Sequence, residues 1–98
     1  MEVSSEMVQQ LSRGERCFLN ICTNLGIFSH TVIQKVEVVD MPNNIVIRIV
    51  CFNERNGREH TSAFSFYHTD AEEKEANRFL DLLAENYHGY EYKQTPIE

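Results

Sequence analysis

Three cysteines and four histidines are the residues of this chain best suited to covalent or metal chemistry. Cys17 and Cys22 lie five apart, an odd separation. On a strand over residues 15–23 they point to opposite faces and cannot chelate one ion. No C-x₂-C pair is present. Cys51 continues the run Ile45, Ile47, Ile49 on one strand face, where a free thiol acts as a small buried hydrophobe. His60 and His68 share a strand face but stand eight residues apart, about 26 Å at strand rise. His30 has no partner in sequence. His88 falls at a helix end, where a cation suits the dipole. A Cys–His nucleophile would need a tertiary approach that the spacing does not announce.

Phosphate and acid–base chemistry fare no better. The chain has no Gly-rich strand-to-helix loop, and its strongest helix start is acidic, which repels a phosphate. Carboxylates are plentiful, but an acid–base pair is defined by opposed environments, which a sequence does not display. No catalytic, cofactor-binding or metal-binding residue is assigned. The expectation is a protein that is not an enzyme and holds no cofactor.

The elements that would position a site centre on residues 32–67. Three runs of β-branched and aromatic residues are broken by Met41-Pro42-Asn43-Asn44 and by a polar loop over 53–58 with Asn56-Gly57. That pattern predicts a three-stranded antiparallel meander with strands over 31–39, 45–52 and 59–68. The middle run is apolar on both faces, with Val46, Val50 and Phe52 interrupted only by Arg48. It belongs in the centre of the sheet, and its second face should be at least partly covered. In the preceding strand, Val36 and Val38 mark the core side.

Before the meander, residues 2–13 suggest a short helix with Val3, Met7 and Leu11 on one stripe and Gly14 as its stop. Residues 15–23 alternate Cys17, Leu19 and Ile21 against Phe18, Asn20 and Cys22, which predicts a first strand. After it, Thr69-Asp70-Ala71-Glu72 is a capping box opening a helix to about Asn86, with Ala76, Phe79, Leu80, Leu83 and Tyr87 as its buried stripe and Gly89 ending it. Residues 90–93 alternate and suit a short strand or an ordered arm. Residues 94–98 should fray. The expected fold is α+β: an antiparallel four-stranded, or five-stranded, sheet covered by the C-terminal amphipathic helix, with a short N-terminal helix, in the order α-β-β-β-β-α. All 98 residues form one domain.

The helix–strands–helix order resembles a double-stranded-RNA-binding domain. That resemblance implies basic residues at the start of the second helix, where this chain reads TDAEEKEA. The run from Glu59 to Glu85, a strand with Phe64 and Phe66 entering an amphipathic helix, is similar to the end of a pleckstrin-homology-like domain. That fold has seven strands before its helix, against four or five here.

Composition narrows the class. An apolar content of 42% suits a thin core of one sheet and a helical cover. No stretch nears the roughly 20 apolar residues of a membrane span. MEVSSEMVQQ lacks the basic, then hydrophobic, pattern of a secretory signal, and three unpaired cysteines suit a reducing compartment. The expectation is a cytoplasmic protein without membrane contact. The net charge of −6 is concentrated: residues 70–98 carry eight acids and three bases, residues 1–69 seven acids and six bases. Direct nucleic-acid binding is not expected from such a balance.

What remains is surface. The leading expectation is a small non-enzymatic protein–protein interaction or regulatory module. Arg48 and Phe52 would act from the outer sheet face, with a C-terminal aromatic cluster of Tyr87, Tyr90 and Tyr92, since Tyr and Arg concentrate in interface hot spots. Tyr87 and Tyr90 would serve equally well to finish the core. A homodimer would explain the doubly apolar central strand. The alternative is an acidic inhibitor or decoy of the phage or immunity type, presenting Glu72 and Glu73 to a basic protein groove. Lys74 and Arg78 weaken it by pairing with those acids along the helix. A small enzyme or ligand carrier would need a pocket between helix and sheet.

Overall fold

The first described helix begins with a sequence signal of its own. Ser12-Arg13-Gly14-Glu15 is a reciprocal capping box: Glu15 N–H donates to Ser12 Oγ at 3.3 Å and Ser12 N–H donates to Glu15 Oε1 at 3.2 Å. Helix α1 follows as Arg13–Ile27. The computed structural model describes residues 11–27 and 30–95. The strand expected over 15–23 is therefore a helix. Its apolar residues alternate by two over a short window, but Gly14, Cys17, Phe18, Ile21, Cys22 and Leu25 also repeat at helical spacing. The capped start and the fifteen-residue length favour the helix, and its buried edge faces the core through Ile21. Gly14 is not a helix stop but a buried residue of the first turn. Most of the helix expected over 2–13 lies outside the described residues.

The meander forms as the turn signals require. Strands β1 (Thr31–Asp40), β2 (Asn44–Asn53) and β3 (Glu59–Tyr67) pair antiparallel in sequence order. Met41 N–H donates to Asn44 O at 2.9 Å across the first turn. Asn53 Oδ1 accepts from the Arg55 and Asn56 amides in the second, and Gly57 there takes a positive φ of 74°. The β1–β2 register shifts between Ile33 and Lys35. This bulge resolves the imperfect alternation of β1: one extra residue lets Ile33, Val36 and Val38 share the buried face.

Helix α2 (Asp70–Asn86) starts at Thr69, whose Oγ1 accepts from Glu72 N–H at 3.2 Å. Only half of the expected capping box forms, because the Glu72 carboxylate turns to Arg13 instead of back to its own helix start. The helix ends at Tyr87, ahead of Gly89, whose φ of +83° turns the chain toward β4 (Glu91–Thr95). Gln94 and Thr95, expected to fray, belong to this strand. β4 pairs parallel to β1, so the sheet order is β3-β2-β1-β4 and α2 carries the chain from one edge to the other.

The fold is α+β, with a mostly antiparallel four-stranded sheet, but the order is α-β-β-β-α-β. The helices pack on each other and on one sheet face. Ile21, Ile33, Val36, Val38, Ile47, Ile49, Cys51, Phe66, Ala76, Phe79 and Leu83 are buried between the layers. Phe79 sits at the aromatic centre, edge-on to Phe64 at 5.0 Å and tilted against Phe66 at 6.5 Å.

Candidate functional site

Alternation along the strands leaves a second sheet face, and no described element covers it. It carries Val32, Lys35, Glu37 and Val39 from β1, Val46, Arg48, Val50 and Phe52 from β2, and Thr61, Ala63 and Ser65 from β3. Glu91, Lys93 and Thr95 of β4 complete it. Val32 is 42% exposed, whereas Val39, Val46, Val50 and Phe52 are half-buried. β2 is central, as its composition requires, but no described element lies over its outer face.

A charge cluster crosses the middle of this face. Register sets Ala63, Arg48, Glu37 and Lys93 side by side on four strands. Glu37 receives Lys35 Nζ at 3.1 Å and Arg48 Nη1 at 3.2 Å. The hydrogen bond from Lys35 holds the Glu37 carboxyl below its ordinary range, against partial burial, with the charges of Lys35, Arg48 and Lys93 adding to the effect. Rows of apolar residues flank this row: Val39 beside Val46, and Val32 beside Phe52. Sequence reasoning found Arg48 and Phe52 but missed Glu37, Lys35 and Lys93. The i, i+2 pair Lys35/Glu37 is visible on a strand; its meeting with Arg48 and Lys93 requires the register.

The other expected surface residues are drawn elsewhere. Tyr87 lines the core beside Phe18, with ring centroids 6.1 Å apart, and its hydroxyl donates to Cys22 Sγ at 3.4 Å. Burial, then that contact, pushes its phenol well above the ordinary value. Tyr90 is half-buried against the core, and burial raises its phenol as well. Tyr92 is 52% exposed but pairs with Val36, so it lies at the helix-side edge of the sheet and does not join Arg48 and Phe52. Of the three tyrosines only Tyr92 is largely exposed; Tyr87 and Tyr90 pack against the core.

Glu72 and Glu73 are both engaged within the fold. Glu72 pairs with the Arg13 guanidinium, which also donates to Ser65 O and lies over the Phe66 ring at 4.6 Å. Glu73 meets His68 Nδ1 at 3.3 Å, while His68 Nε2 donates to Met41 O at 2.7 Å and stands 3.2 Å from Asp40 Oδ1. The acids left outward on α2 include Asp70 and Asp81, interleaved with Lys74 and Arg78.

A cleft of about 320 Å³ opens between the end of α1 and the β2–β3 hairpin. Cys51 is at its floor, with Asn24, Thr31, Arg58 and His60 on its walls. Cys51 and His60 are direct cross-strand partners, an approach the spacing did not announce. Burial pushes the Cys51 thiol up, so this is the environment of a protonated, unactivated thiol. Among the described residues no three His, Cys, Asp or Glu side chains form a group that could hold a metal ion. No described helix is long and apolar enough to cross a membrane. The chain matches no protein-family profile, no curated protein and no solved structure.

Proposed function

We propose that this protein is a non-enzymatic protein-interaction module whose docking surface is the uncovered sheet face. The observation that carries this reading is the pairing of that face's exposure with its composition. Valine and phenylalanine rows flank one compact charge cluster on a rigid four-stranded platform. An apolar surface with a central, directional ion cluster suits a protein partner, which supplies area for the valines and a complementary charge for register. The acidic-decoy reading is weaker because Glu72 and Glu73, its chosen residues, are held by Arg13 and His68.

The test is affinity capture with the immobilised chain, with and without nuclease and at low and high salt. A partner that survives nuclease and high salt, and is lost from the Val50→Asp variant, supports the sheet-face reading. A partner lost in high salt and retained by Val50→Asp would instead favour the outward acids of α2.

A further inference from the structure

The uncovered face is self-complementary. Its two central strands pair Glu37 with Arg48, Val39 with Val46, Val32 with Phe52, and Lys35 with Val50. Consider a two-fold axis parallel to the strands, above the sheet and between β1 and β2. The rotation keeps position along the strands and exchanges β1 with β2. Each residue of one copy then faces the second copy's version of its own cross-strand partner. Arg48 meets a second Glu37 and Glu37 a second Arg48. Val39 meets Val46, and Val32 meets Phe52. Lys35 meets Val50, where its aliphatic stem can lie on the valine while the ammonium stays with Glu37. No like charges are opposed in the central rows. In the outer rows the same operation sets Ala63 over Lys93, Ser65 over Thr95 and Thr61 over Glu91, which oppose small or neutral side chains to the β4 charges.

Net charge and area agree with this arrangement. The chain carries −6, which opposes self-association in general. On this face Lys35, Arg48 and Lys93 balance Glu37, Glu59 and Glu91. Face-to-face packing therefore joins two neutral surfaces and turns the acidic helix layers outward. Three strands about 30 Å long and the five-residue β4, about 17 Å, spaced about 4.8 Å apart, present roughly 500 Å². Two such faces bury about 1,000 Å², the threshold of a biological interface and the size of a weak, reversible one. Sheets also pack face to face with strands within about 30° of one another, as a strand-parallel axis demands.

We infer that the partner on this face is a second copy of the chain, bound as a two-fold dimer in which each Arg48 pairs with the other copy's Glu37. The inference rests on reading the open face as the docking surface. It implies a weak, reversible association, sensitive to single charge reversals at the centre.

The test uses the full chain and its R48E and E37R variants in sedimentation equilibrium, each checked for folding by thermal unfolding. Wild-type chain should dimerise. In R48E the central contacts become Glu against Glu, and in E37R Arg against Arg, so each variant alone should associate at least ~10-fold more weakly. An equimolar mixture of the two should regain the dimer, because both interchain contacts become opposite-charged again while each chain's internal pair stays broken. Rescue on mixing is the result a purely intrachain role cannot produce. If either variant fails to fold, the Val39 and Val46 methyl resonances of wild-type protein supply the readout. They should shift with concentration while those of Leu82, on the helix side, stay fixed. A wild-type monomer at all concentrations, or variants that dimerise like wild type, would overturn the dimer. A monomer that still captures a protein lost from Val50→Asp overturns only the second copy. A monomer that captures nothing overturns the docking surface as well.

Discussion

Gly14 lies directly against Glu75. Its amide donates to the Glu75 carboxylate at 2.9 Å, so a side chain from α2 caps the start of α1. That contact, with Ser12 adding, holds the Glu75 carboxyl below its ordinary range. A methyl group on Gly14 would stand inside van der Waals distance of the Glu75 carbonyl oxygen and 3.1 Å from Phe79 N. The two helix backbones meet at Gly14, where α1 has no side chain to hold them apart.

Gly14→Ala should therefore destabilise the fold, although alanine favours helices in general. Forcing a methyl between two backbones costs about 1–3 kcal/mol. For a domain of this size, each kcal/mol moves the melting temperature by about 4–8 °C. A variant with a raised melting temperature would mean that the helices can separate at this point without loss.

Arg13 ties three elements together, and its role depends on guanidinium geometry. It reaches Glu72, the Ser65 carbonyl and the Phe66 ring. Lysine offers a point charge and no planar fork. Arg13→Lys should lose most of what Arg13→Ala loses, a cost of about 1–2 kcal/mol. A double-mutant cycle with Glu72→Gln should return a coupling of about 0.5–1 kcal/mol, and additive losses would show that the pair is not coupled.

His68 joins the β1–β2 turn to the start of α2. The Met41 carbonyl, first, and then Glu73 raise its pKa, and Asp40 adds to the shift. Both ring nitrogens face acceptors, and only the imidazolium donates from both. In the unfolded chain the ring titrates near about 6.5. The folded state holds the proton more tightly, so this contribution is complete below that pH and is lost as pH rises through the folded value. Denaturant unfolding across that window should show a decline that His68→Gln abolishes. An NMR titration should place the ring above its unfolded value; a midpoint at or below it would refute the latch.

Cys51 should report global unfolding. It is 4% exposed, and burial raises its thiol. Labelling by a thiol reagent should be slow in native conditions and should track urea unfolding, whereas half-buried Cys17 and Cys22 react through smaller openings. Fast native labelling of Cys51 would revive the cleft at the end of α1 as a reactive site.

Phe79→Ala should be the most damaging of these changes. The ring is fully buried between Phe64 and Phe66, and its removal costs about 3–5 kcal/mol, a large share of a small domain's stability. A loss under about 1 kcal/mol would place the true core elsewhere.

Local chemistry made much of this protein legible. The Pro-Asn-Asn and Asn-Gly turns defined the meander, and the heptad-like stripe of α2 announced its buried face. The capping box at Ser12–Glu15 and the helical stripe from Gly14 to Leu25 were equally present in the sequence. They were hidden because the same apolar residues also alternate, and a short window fits both periods. The bulge in β1, the parallel pairing of β4 and the meeting of Arg48 with Glu37 depend on contacts between distant segments, which no local pattern encodes.

By itself, then, the sequence determined an α+β chain with a central doubly apolar strand, an acidic C-terminal helix and no preassembled chemical motif. These follow from side-chain period, turn residues and charge, all properties of neighbours along the chain. Only the tertiary structure decided which surface is open. Two helices cover one side of the sheet, Gly14 lets them close on each other, and Glu72, Glu73 and Tyr87 are spent inside the fold. The other side gathers Arg48, Glu37 and the valine rows on one face because register, a relation between separate strands, places them together.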